Sequence, residues 1–117
     1  MTVKEVYAVT GGNYDEAMSR LMTEARITKY LNKFIQSDDY SNMLAALEAK
    51  NWEDAFRFSH NLKGMGLNLS LTRLAGSAGD LCEELRGGAP KTDLSDMLAA
   101  VRADFAQVVD AVSSLSA

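Results

Sequence analysis

The stretch NWEDAFRFSHNLKGMGLNLS, residues 51–70, holds the only histidine of the chain, and its periodicity decides the fold. At about 100° per residue, Ala55, Phe58, Leu62, Met65 and Leu69 fall on one side in steps of three and four. That is the apolar stripe of an amphipathic helix. Asn51 can cap its first turn, and the helix is expected to run about 18 residues, to near Ser70.

His60 lies roughly 160° from Leu62 on this wheel, so it points away from the core. Lys63 and Gly64 follow one turn later, and Phe56, Leu67, Asn68 and Leu71 fall toward the same side. A glycine inside a helix costs about 1 kcal/mol against alanine. Gly66 falls toward the core, where close approach of a second helix is reason enough for it. Gly64 falls on the exposed face, where packing supplies no reason. A notch without a side chain beside the imidazole would let another molecule's backbone or a phosphoryl group come close.

Working outward, helical spacing continues in both directions, and no alternating strand pattern competes with it. Asn13 with Glu16 reads as a capping box for a short helix over Tyr14 to Met22, leaving residues 1–12 as an N-terminal extension. Thr23 starts the next segment, in which Ile27, Tyr30, Leu31, Phe34 and Ile35 recur at helical intervals. Tyr40, Met43, Leu44 and Leu47 carry the stripe to Lys50 beyond the cap candidates at 37–39. The pattern allows residues 23–50 to be one bent helix or two. Ser70 can cap a helix from Leu71 to Arg86, and GGAP at 87–90 is the clearest break. From Thr92 onward, Leu94, Leu98, Val101, Phe105, Val108, Val112 and Leu115 alternate steps of four and three, a seam that faces a bundle. The expected fold is all-α: an antiparallel up-down four-helix bundle over residues 13–116 with a short extra N-terminal helix, in a single domain over 1–117.

Composition narrows the partners. The chain has 117 residues, 47% hydrophobic and 24% charged, an ordinary globular balance. Its net charge is −4 with no basic cluster, which argues against nucleic acid. No apolar run nears the roughly 20 residues of a membrane span. MTVKEVYAVTGG lacks the apolar core of a signal peptide. With Cys82 as the sole cysteine, no internal disulfide can form, and a cytoplasmic monomer is expected.

The chemistry open to such a site is narrow. A neutral imidazole is a competent nucleophile near pH 7, and the Lys63 ammonium can pair with phosphoryl oxygens during attack. His60 has no evident Ser or Cys nucleophile to serve as a base, and a triad is not read from one helix. A zinc or iron site needs more His or Cys ligands than one of each, so no metal site is expected. No Gly-rich nucleotide loop is present.

SHNLKGMGLNLSLTRLAGSAGDLCEEL, residues 59–85, resembles the signature of histidine-containing phosphotransfer (HPt) domains. His60, Leu62, Lys63 and Gly64 match its His-x-Leu-Lys-Gly pattern, with a small Ser59 before them and Leu74, Leu81 and Leu85 in the following helix. YLNKFIQSDDYSNMLAALEAKNWEDAFRFS, residues 30–59, is similar to the family's approach to the motif. Two positions depart from it: Ser70 stands where glycine is frequent, and Met65 where a small residue is common. The resemblance implies a phosphorelay carrier. His60 would accept a phosphoryl group from a receiver-domain aspartate through Nε2 and pass it to another receiver, with Lys63 assisting. Phe56, Gly64, Leu67 and Asn68 would meet the partner, a response-regulator receiver or a hybrid sensor kinase. The chain would need no cofactor of its own, Mg²⁺ coming with the receiver, and would not act as a kinase. The alternative is a phosphorylation-independent adaptor that uses the same bundle to bind receiver-like partners.

Overall fold

A computed structural model describes residues 1–115; Ser116, the last residue assigned to the bundle from sequence, lies outside them. Seven helices form among the described residues: α1 (Val3–Thr10), α2 (Tyr14–Leu21), α3 (Glu24–Ile35), α4 (Asp39–Glu48), α5 (Trp52–Asn68), α6 (Thr72–Leu85) and α7 (Ser95–Ser113).

Residues 23–50 make two helices. Ser37 accepts from the Asp39 amide (3.2 Å) and donates to its carboxylate (3.0 Å), so the chain re-enters a helix there instead of continuing the first. The two pieces nevertheless share one leg of the bundle. Asn61, midway along α5, donates to Asp39 at the start of α4 (3.2 Å). Tyr30 and Phe34 of α3 line a groove with Met65 and Leu69, near the end of α5. α3 therefore lies beside the second half of α5 and α4 beside the first half, both antiparallel to it. Phe105 of α7 packs at the joint, edge-on to Phe34 at 5.8 Å and stacked on Tyr40 at 4.0 Å between ring centroids. Partial burial raises the Tyr40 hydroxyl pKa above the ordinary phenol range. With α5, α6 and α7 as the other legs, the result is the expected helical bundle, elongated to 41 × 22 × 20 Å.

The N-terminus departs from expectation. Residues 1–12 are not an extension but contain α1, which packs along α7 and buries Val6 and Tyr7 completely. Thr2 and Glu5 form the reciprocal capping box, and Gly11 ends the helix at φ 68°. The box expected at Asn13 is only half made. The Asn13 side chain accepts from the Glu16 amide (3.0 Å), but the Glu16 carboxylate turns away to accept from Ser70 Oγ (2.8 Å).

Ser70 itself is not a helix N-cap. It sits at φ 56°, just past α5, where its amide reaches Leu67 O (3.1 Å) and the Leu71 amide reaches Gly66 O (2.8 Å). These are the paired bonds that close a helix through a left-handed residue, the place where glycine is usual. Leu71, assigned to the histidine side from sequence, is fully buried beneath this turn. α7 begins at Ser95, later than Thr92, because the Asp93 carboxylate takes the Ser95 amide (2.8 Å) and hydroxyl (2.6 Å). Leu94, Leu98, Val101, Phe105, Val108 and Val112 face the core as expected.

Candidate functional site

α5 forms where expected. Asn51 caps it by accepting from the Asp54 amide (3.3 Å), and Ala55, Leu62 and Leu69 are buried. Phe58 and Met65, placed in the core from sequence, are only half-buried. Met65 faces the groove between α5 and α3, and the Arg57 guanidinium covers the Phe58 ring at 4.7 Å.

His60 is exposed on the opposite side. Its ring lies 6.0 Å from that of Phe56, one turn earlier. Over Phe56, at 5.2 Å from the ring centroid, lies the Arg86 guanidinium from the end of α6. Arg86 in turn pairs with Glu83 (3.1 Å). A shallow cleft of about 460 Å³ opens beside the imidazole, lined by Glu53, Phe56, Arg57, Asn61 and Arg86. Both of its arginines are paired with carboxylates, Arg57 with Asp54 at 3.0 Å and Arg86 with Glu83.

The Lys63 stem lies across Gly79 of α6: a Cβ built on that glycine would meet Lys63 Cδ at 3.5 Å. Among the described residues, Lys63 enters none of the ion pairs. Gly64 has nothing within 4 Å of where a Cβ would stand. Leu67, two turns from His60, is 52% exposed, a large apolar side chain in solvent. Asn68 is exposed at the last position of α5, where its carbonyl accepts from Arg20 (3.0 Å). His60, Lys63, Gly64, Phe56 and Leu67 thus share one surface, and Asn68 lies at its edge.

Arg86 and Gly79 were not among the sequence candidates. Gly79 lies in α6 and Arg86 directly after it, and no spacing within α5 points to them. A glycine in the middle of α6 was a signal that could have drawn attention to Gly79. Among the described residues, no three His, Cys, Asp or Glu side chains gather as a metal site would require. No helix among them is long and apolar enough to cross a membrane.

The imidazole therefore stands on an open surface beside a shallow cleft and not inside an enclosed cavity. The family model for the Hpt domain matches residues 30–113, and the chain belongs to that family of histidine phosphotransfer domains, which act in phosphorelays with receiver domains and kinases. The match leaves out α1, α2 and the first half of α3. No curated protein and no solved structure matched the chain.

Proposed function

We propose that this chain carries phosphoryl groups between receiver domains, with His60 as the acceptor. The observation that supports this most directly is an exposed imidazole on the one face of α5 that packing leaves open, inside the family motif. The unprotonated Nε2 of His60 attacks the phosphorus of a receiver's aspartyl phosphate in line. The N–P bond forms as the acyl P–O bond breaks, and the electron pair leaves with the aspartate carboxylate. The return step reverses these roles on another receiver. Lys63 supplies positive charge to the equatorial oxygens, where the transferring group carries its negative charge. Phe56 and Leu67 offer apolar contact, Asn68 polar contact, and Gly64 the clearance for the receiver to come within bonding distance. The Mg²⁺ that balances the aspartyl phosphate comes with the receiver. The chain contributes a nucleophile, one cation and a docking surface, and works as a monomeric carrier without kinase activity.

The test is incubation with a phosphorylated receiver and an assay for acid-labile, base-stable label. His60→Gln should abolish labelling while leaving the unfolding midpoint near wild type, because an exposed side chain gives up little packing. Label retained on the Gln variant would remove His60 from this role. Binding of the receiver with no transfer in either protein would favour the adaptor reading.

A further inference from the structure

The N-terminal segment that the family match leaves out grips the end of α5. Four consecutive carbonyls of the α5–α6 turn accept hydrogen bonds from it. Arg20 donates to Leu67 O (2.6 Å) and Asn68 O (3.0 Å), the Tyr7 hydroxyl to Leu69 O (2.6 Å), and the Asn13 amide to Ser70 O (2.9 Å). Arg20 also reaches Ser70 Oγ (3.2 Å), and that hydroxyl donates to Glu16 (2.8 Å), which pairs with Arg20 across one turn of α2 (3.4 Å).

Two features make the grip more than incidental packing. α5 has no Lys, Arg or His in its last turn, so it lacks a cation of its own to complement the negative end of its dipole. Arg20 supplies one from another helix. The turn also passes through Ser70 at φ 56°, a conformation that costs a non-glycine residue energy and persists only when neighbours hold it. Two of the gripped carbonyls belong to Leu67 and Asn68, whose side chains stand two turns from His60 on or beside its surface.

We propose that Arg20, held by Glu16 and Ser70, is a positioning residue for receiver docking. It fixes the last turn of α5, and with it Leu67 and Asn68, without taking part in the chemistry at His60. The inference rests on the docking role given above to those two residues. Helix ends fray when their carbonyls lack partners. A frayed last turn must be reordered each time a receiver binds, which weakens binding and leaves the transfer step as it was.

The experiment uses a receiver domain that labels the wild-type chain, with phosphoramidate as a small donor that needs no docking. For Arg20→Ala, the receiver concentration at half-maximal rate should rise about fivefold, while the maximal rate stays within about twofold. Phosphoramidate labelling should be unchanged, and amide exchange should accelerate at Leu67–Leu71 but not around His60. Arg20→Lys keeps the charge without the fork and should fall between the two. Ser70→Ala drops the hydroxyl link and keeps a non-glycine residue at this left-handed position. It should shift half-saturation in the same direction by a smaller factor, and it keeps the test usable if Arg20→Ala folds poorly. An unchanged half-saturation alongside a loosened turn would overturn the proposal, as would an equal loss of labelling from both donors. If no receiver labels the wild-type chain, the phosphotransfer reading falls and takes the docking role of Arg20 with it. Amide exchange would then still report whether Arg20 holds the turn.

Discussion

Gly64 and Gly66 stand two residues apart in α5, so they face nearly opposite sides of the helix. A Cβ on Gly66 would lie 3.3 Å from the Cα and Cβ of Ala75, tight against the backbone of α6. A Cβ on Gly64 would meet nothing within 4 Å. The same residue type therefore serves two purposes in one helix. Gly66 lets α5 and α6 approach closely, and fold stability depends on it. Gly64 weakens the helix with no return inside the molecule. That makes it the stronger sign of something that happens outside, in contact with another molecule.

The comparison can be broken most directly at Gly64. Gly64→Gln should be at least as stable as wild type, since removing the glycine recovers up to about 1 kcal/mol of helix propensity. Its transfer from a receiver should fall by about a hundredfold or more, because a displacement of about an ångström at the reacting atoms costs that much. Phosphoramidate labelling should suffer far less, and Gly64→Ala should lie between. Unchanged receiver transfer in the Gln variant would mean that the open space is not an access route.

Lys63→Ala comes next, with single-turnover transfer expected to slow tenfold to a hundredfold, about 1–3 kcal/mol of transition-state stabilisation. Rates equal to wild type at saturating receiver would reduce Lys63 to a side chain that covers Gly79. On the packed side, Gly66→Val should lower stability by about 1–3 kcal/mol as the two helices are forced apart. Urea unfolding measures this, and a stability equal to wild type would show that α6 can yield.

The smallest effect lies just past the end of the same helix, where Tyr7 of α1 donates to Leu69 O. Burial holds the Tyr7 hydroxyl well above the ordinary phenol pKa. The folded value exceeds the unfolded one, so this contribution is fully present below about pH 10 and is lost as pH rises beyond it. By pH 11 the loss should be about 1 kcal/mol. Tyr7→Phe should flatten that part of the alkaline decline in the urea midpoint, and an equally steep decline in the variant would contradict it.

Much of this architecture was legible because α5 and α7 carry long apolar stripes, and a stripe of several turns constrains facing strongly. The exposed side of His60 followed from the same wheel, as did the two placements of glycine. α1 went unread although its signals were present: Thr2 and Glu5 at capping-box spacing, Val3, Val6, Tyr7 and Thr10 on one face, and Gly11 after them. Eight residues make too short a window for periodicity to stand out. Ser70 was misread for a different reason. Serine between two helices ordinarily caps the second, and contacts from Tyr7, Asn13, Glu16 and Arg20 brace the turn in which it sits left-handed. Those contacts span 50 residues or more of sequence, where no local pattern reaches. Arg86 over Phe56 was hidden in the same way.

Trp52, the only tryptophan, opens α5 and is half-buried in a groove with Leu44, Leu47, Leu94 and Leu98. The gripped turn at Ser70 lies at the other end of that helix, about 25 Å away. The chain thus carries a single tryptophan, whose emission reports on one pole of the bundle and is blind to the other. If loss of the N-terminal grip precedes global unfolding, far-ultraviolet circular dichroism will begin to fall while tryptophan emission holds steady. Coincident curves would instead identify the two poles as one cooperative unit.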